Sequence, residues 1–373
     1  MAFATVGLLS IFVLCLSLPN ASANPHTSPH ASLQERNLFS TQPNPVDVSG
    51  AHAWQAPTAD QQREPCPGLN ALANYGYISR DGVVSLPEAN PAVTSVFNMG
   101  LGLATLLATL GVVSGGAPVS LNLRVSIGGE SKDVSLLLKG LLGIAGKPQG
   151  LNLTHNLVEA DSSPTRDDLF ETGDAWTLNM VHFQDMLDAL PEDEDSNTAF
   201  DAMSDFAVKR FKQTVGSNPH FFYGPTREAR SYAPPQTHSS PCLITTNPDH
   251  TILRSFYGLT SSSDSNPTYT YGHERIPLNW YPRPTPYGLA ELNQDILSWT
   301  LKHPELASIG GNTRTTNSFT LLDLSNLTDG VLAAPKLLEK NNLLCFALEF
   351  VKLAAPSFTN NLFETLSGRW IWV

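Results

Sequence analysis

The sequence predicts a mostly α-helical fold: a single multi-helix domain with long connecting loops and few short strands. Three observations predict it. Apolar residues recur at helical spacing over 198–212 and 289–299, a charge-free apolar stretch fills 89–123, and neither an internal repeat nor a composition break divides the chain. With 373 residues, 41% of them hydrophobic, the chain can bury a large core.

Within 198–212, Phe200, Met203, Ala207 and Phe211 share one helical face. Leu289, Leu292, Ile296 and Trp299 share another, until His303-Pro304 stops that helix. A third helix is expected over 333–353, strongly apolar around Leu343, Leu344, Cys345 and Phe346. The stretch 89–123 is long enough for a membrane span. Asn90, Pro91, Asn98 and five glycines interrupt it, however, and aromatic or basic flanks are missing, so a buried helix is expected. Between the helices lie Pro- and Ser-rich segments, 232–267 above all, with short strands expected at 243–245 and 268–271. Gly128-Gly129 and Gly310-Gly311 read as turn residues.

The first 23 residues are apolar and end in Ala21-Ser22-Ala23, the shape of a secretory signal peptide, although no Lys or Arg precedes the apolar run. Residues 24–60, rich in Pro, His, Ser, Gln and Asn, read as an extended N-terminal arm or a pro-segment, and the domain proper as 61–373. Cleavage would discard Cys15 and leave Cys66, Cys242 and Cys345, an odd number for an exported chain. Cys242 and Cys345 are candidates for a disulfide, with a buried thiol at Cys345 as the alternative. The sequons at Asn152 and Asn326 suit secretion and glycosylation. A formal charge of −12 offers no basic footprint for nucleic acid or for anionic membranes.

The most informative segment runs Pro65-Cys66-Pro67-Gly68-Leu69-Asn70-Ala71-Leu72-Ala73-Asn74-Tyr75-Gly76-Tyr77. Pro67 suits a first helical position, Leu69, Leu72 and Ala73 form an apolar face, and Gly76 can end the turn. Cys66 therefore falls at the N-cap, where backbone N–H groups and the helix dipole favour thiolate over thiol. A thiolate there can be half of a disulfide, a nucleophile or an iron ligand.

This segment resembles the proximal motif of the fungal haem-thiolate peroxidases, the chloroperoxidases and unspecific peroxygenases. The resemblance implies that Cys66 is the axial ligand of haem b, with Tyr75 departing from the histidine usual before the glycine. A second stretch, Glu159-Ala160-Asp161-Ser162-Ser163-Pro164-Thr165-Arg166-Asp167-Asp168, is approached by His155-Asn156 and is similar to the family's acidic motif. The residues themselves read as a helix start, with Ser163 as N-cap and Pro164 first. The resemblance adds that Glu159, the Ala160 carbonyl and Ser163 hold Mg²⁺ or Mn²⁺ beside a haem propionate. Ala160 replaces the Gly or His found there in relatives, keeping a backbone ligand but no base.

In the family's long forms the distal glutamate lies seven residues after an arginine, which orients it. Counting from Arg227 arrives at Pro234. Arg227 and Glu228 are therefore the weak candidates for catalytic distal groups, with His220 or His238 as alternatives, and with poor peroxide activation as the third. The segments 273–277, 279–281 and 308–313 also look like family members and read as packing and turn elements. No HExxH pair, zinc-type spacing, P-loop or nucleophile elbow occurs. The expected function is a secreted, extracellular haem-dependent peroxidase or peroxygenase that uses hydrogen peroxide to oxidise or oxygenate small organic substrates. Its alternative is a haem-binding member with weak or no turnover for want of the distal glutamate. No nucleic-acid partner and no membrane span after signal cleavage are expected.

Overall fold

The computed structural model of the protein describes residues 44–63, 65–116, 124–131, 150–154, 159–190, 196–223, 250–260, 267–278 and 280–321, and helices dominate them. Outside these lie the leader expected at 1–23, the strand expected at 243–245, the helix expected at 333–353, Cys242, Cys345 and Asn326.

Helix α1, Pro67–Asn74, begins where Pro67 takes the first turn and Cys66 the N-cap in extended conformation. It ends as Gly76 turns left-handed, at φ 68°. Seven of its eight residues are buried, including Asn70 and Asn74, so this short helix is a core element and each amide needs an internal partner.

The charge-free stretch forms two helices rather than the single one expected. Helix α2, Leu86–Phe97, starts earlier, at the capping box of Ser85 and Glu88, and stops at left-handed Asn98. Helix α3, Leu101–Gly115, follows from Gly100. The break is made by tertiary contact: the Gly100 N–H donates to the Tyr287 carbonyl at 2.7 Å, and the Tyr287 N–H to the Asn98 carbonyl at 3.0 Å. A Cβ on Gly100 would lie 3.0 Å from the Gly288 Cα, so a side chain there would press on the neighbouring backbone. Among the described residues no helix is long and apolar enough to cross a membrane. Strand β1, Val83–Ser85, pairs antiparallel with β2, Arg124–Ser126, placing Val84 opposite Val125 behind these helices.

Helices α4, Leu169–Thr172, and α5, Met180–Ala189, lead to the long α6, Ser196–Ser217. The face expected on α6 is buried at Met203, Ala207 and Phe211, with Phe200 packed at its edge. It meets Phe183 and Leu187 of α5, Leu253 of α7 (His250–Phe256), and Trp299 of α8 (Leu289–Lys302) in one apolar cluster. Helix α8 buries Leu292, Ile296 and Trp299 and stops at His303, as its sequence requires.

Strand β3, Phe222–Tyr223, pairs with β6, Gly310–Gly311, which pairs in turn with β7, Thr320–Leu321. Gly310-Gly311 is thus the middle strand of a small sheet and not a turn. A Cβ on Gly310 would lie 2.2 Å from the Thr320 carbonyl oxygen, which explains the glycine. The strand expected at 268–271 is β5, Thr268–Tyr269, paired with β4, Leu259–Thr260.

Two further readings are corrected. No helix starts at Ser163–Pro164; α4 begins at Leu169, because Asp168 and its neighbours bond to distant groups rather than to a first turn. Asn152 and Thr154 of the first sequon are 7% and 1% exposed, so a glycan has no room there.

Candidate functional site

A cavity of about 1320 Å³, measured out to its open mouth, lies between α1, α2, α3, the β1–β2 pair and the acidic segment. Its wall is mostly aliphatic, from Leu69, Val93, Met99, Leu107 and Val112 among others. Among the described residues its polar lining is small: Cys66, Ser85, Glu159, Ser163, Thr165, Arg166 and Tyr257. The two motifs singled out by sequence therefore meet, across 93 residues of chain, in one apolar chamber. Such a chamber suits a large flat apolar ligand fixed by a few polar groups.

Helix α1 is braced from behind. The Asn70 amide donates to the Glu274 carboxylate at 2.8 Å, and the Asn74 amide to the carbonyls of Gly272 and Glu274 at 2.7 and 2.9 Å. The Arg63 Nε in turn donates to the Asn74 side-chain oxygen at 2.9 Å. The Trp54 indole donates to the Glu274 carbonyl, with the Arg275 guanidinium 3.5 Å above its ring. Burial drives the Glu274 carboxyl up to about 7, against the Asn70 hydrogen bond and the nearby charges of Arg166 and Arg63. The Tyr75 hydroxyl donates to the Ile276 carbonyl at 3.1 Å.

The acidic segment forms the facing wall without a helix. The Asp161 carboxylate accepts the Phe222 N–H at 3.1 Å, and Asp168 accepts the Ser162 N–H at 2.7 Å and the Asn218 amide at 2.8 Å. Asp167 takes the Asn179 amide at 2.7 Å and stands 3.2 Å from His182. Arg210 of α6 holds the Ser163 carbonyl at 3.0 Å, while the Ser163 hydroxyl accepts the N–H groups of Thr165 and Arg166. Burial raises the Asp168 carboxyl to about 6, with the Asn218 and Ser162 hydrogen bonds opposing it. Three of the four carboxylates are thereby spent on structure. Glu159 is the one in the cavity wall, beside Ala160 and Ser163.

The sulfur departs from the free thiolate expected: Cys66 is disulfide-bonded. The described residues contain no second cysteine, so its partner is not among them. The same physics serves both outcomes, since a thiolate stabilised at a helix start is the reactive species in disulfide exchange and in metal ligation. One sulfur cannot do both at once. His220 is corrected too; it is exposed, packs on Phe170 with ring centroids 5.2 Å apart, and is no part of the wall. Arg227, Glu228, His238 and His155-Asn156 lie outside the described residues.

Residues 52–285 match the family model described as peroxidase, family 2, which spans both walls of this cavity. The chain belongs to this family, the fungal haem-thiolate peroxidases. It is 44% identical to an aromatic peroxidase, fscJ, of Fusarium equiseti, over 89% of this chain and 77% of the relative. It is 42% identical to the dothistromin biosynthesis peroxidase dotB of Dothistroma septosporum, over 85% and 75%. An aromatic peroxygenase of Coprinellus radians is 31% identical over 49% of this chain and 67% of the relative. This family-2 peroxidase is thus a peroxide-using oxidoreductase of the peroxidase or peroxygenase type, and membership implies a haem cofactor and organic substrates.

Two groups around this peroxidase's cavity had been passed over in the sequence. Arg166 stood inside a quoted motif without a role, and Glu274 looked like one charge of a turn.

Proposed function

We propose that the protein is an exported haem-thiolate peroxidase or peroxygenase in which Cys66, once reduced, ligates the iron of haem b inside the cavity. The observation that carries the reading is the placement of Cys66 at the N-cap of α1 and in the wall of the one chamber shared with Glu159 and Ser163. Haem, when bound, supplies the redox chemistry that peroxide requires. The chain's part is to grip and to exclude. Helix α1 presents the sulfur from a rigid base of buried amides, and its dipole favours the anion. Glu159, the Ala160 carbonyl and the Ser163 hydroxyl form a hard oxygen set suited to Mg²⁺ or Mn²⁺. The aliphatic wall keeps water from the reacting centre and favours small apolar organic substrates. Arg227 and Glu228 are the proposed distal pair, the arginine orienting the carboxylate that moves a proton between the peroxide oxygens. Export rests on the leader 1–23, with 24–60 as arm or pro-segment and Asn326 as the remaining sequon.

The test is spectroscopic. Ferrous protein under carbon monoxide should show the long-wavelength Soret band of thiolate ligation, and Cys66→Ala should abolish it. Thiol labelling of the haem-loaded protein should find Cys66 outside any disulfide. A haem-loaded protein without that band, and with Cys66 still crosslinked, overturns the reading.

A second reading has its own observation: the position seven residues after Arg227 is Pro234 and not glutamate. On that reading the protein holds haem but turns over peroxide weakly or not at all. Peroxide-dependent oxidation of a simple phenol separates the two, and loss of activity in Glu228→Gln would support the first.

A further inference from the structure

We propose that Arg166 is a carboxylate-binding group of the cavity, taking a carboxylate of the porphyrin or of an organic-acid substrate. The inference rests on the haem-cavity reading above but concerns a group to which that reading gives no task.

Arg166 is 3% exposed and lines the cavity. Its Nη2 donates to the carbonyl of Pro65 at 3.2 Å, and its Nη1 reaches the Thr165 hydroxyl at 3.5 Å. Its Nε has no hydrogen-bond partner. A guanidinium carries five N–H donors and does not deprotonate in proteins. A buried guanidinium of this kind is strongly disfavoured unless an anion meets it. Among the described residues, no carboxylate lies within ion-pair distance of it. Glu274 is near enough to feel its charge, but the Glu274 Oε1 is committed to Asn70 and burial favours the neutral acid there. The guanidinium carbon also stands over the Tyr257 ring, 5.4 Å from its centroid.

Charge in the wall narrows the choice. Among the described lining residues Arg166 is the sole cation and Glu159 the sole carboxylate. An incoming carboxylate is repelled by Glu159 unless a metal ion stands between them, whereas Arg166 can meet it directly. The bond to Pro65 fixes the guanidinium beside the cysteine, so the anchor and the sulfur are set by one local geometry.

The test uses metal-free protoporphyrin IX and its dimethyl ester, titrated by fluorescence into the full-length, haem-free chain. The two compounds differ only at the carboxylates, and neither needs the sulfur. One charge-assisted pair is worth ~10- to 100-fold in affinity. Wild type should therefore prefer the diacid by at least ~10-fold, Arg166→Lys should keep part of that preference, and Arg166→Met should lose it. A parallel arm titrates the haem-loaded protein with benzoate and benzamide, reading the Soret shift. Loss of discrimination by Arg166→Met in the first arm assigns the carboxylate to the porphyrin, and in the second to a substrate. Unchanged discrimination in both arms overturns the proposal, as does a wild type that never distinguishes acid from ester or amide. A wild type that binds neither porphyrin overturns this inference together with the haem reading, whereas equal binding of both porphyrins leaves that reading standing.

Discussion

The two walls that face each other across the cavity are built by opposite means. The cysteine wall is a helix, whose ladder pairs part of its backbone, and its buried amides Asn70 and Asn74 are matched from behind. The acidic wall has no ladder of its own, so Asp161, Asp167, Asp168 and Ser163 each accept hydrogen bonds that shape it. Regular structure frees side chains for chemistry, and irregular structure consumes them. That is why one carboxylate of four reaches the cavity from the acidic segment.

The contrast can be broken at its strongest brace first. Asn74→Ala strips partners from Arg63, Gly272 and Glu274 together, and should destabilise the protein by about 3–5 kcal/mol in urea denaturation. A loss under about 1 kcal/mol would show that the cysteine wall does not depend on its amides. Asp168→Asn sets an amide against the Ser162 N–H or the Asn218 amide, and should lower stability by about 1–3 kcal/mol. Helix α1 should persist while the 159–168 wall loosens, which hydrogen exchange can localise.

A further effect lies in pH. The Glu274 carboxyl, at about 7 in the fold against an ordinary 4.5, keeps its proton where the unfolded chain has lost one. Its contribution is therefore complete below about 4.5 and lost as pH rises through about 7. Asp168 behaves alike in a lower window, from its ordinary 3.8 to about 6. The urea midpoint of the wild type should fall between about pH 5 and about pH 8, and Glu274→Gln should flatten the upper part of that fall. An unaltered slope in that variant would assign the pH dependence elsewhere.

Much of the frame could be read from residue order. The face of α6 at Met203, Ala207 and Phe211, the end of α8 at His303-Pro304, and α1 with Cys66 at its N-cap all rest on local physics: periodicity, proline and capping. The family resemblance brought Glu159 and Ser163 to notice, and they line the same cavity as Cys66, from the facing wall. Where local rules misled, a distant group had intervened. The stretch 89–123 breaks at Asn98 because Tyr287 pairs there, and Ser163–Pro164 starts no helix because Arg210, Asn218 and Phe222 hold the segment.

The sequence by itself determined the apolar faces of α6 and α8, which cysteine stands at a helix start, and where an acidic cluster occurs, since each depends on neighbours within a turn or two. Only the tertiary structure decided which carboxylate meets the cavity, that Glu274 sits buried behind α1, and that Arg166 has no carboxylate partner in the wall among the described residues. Those outcomes depend on burial and on partners 50 to 200 residues away, for example Asp168 with Asn218 and Asn70 with Glu274, and no local pattern encodes such pairings.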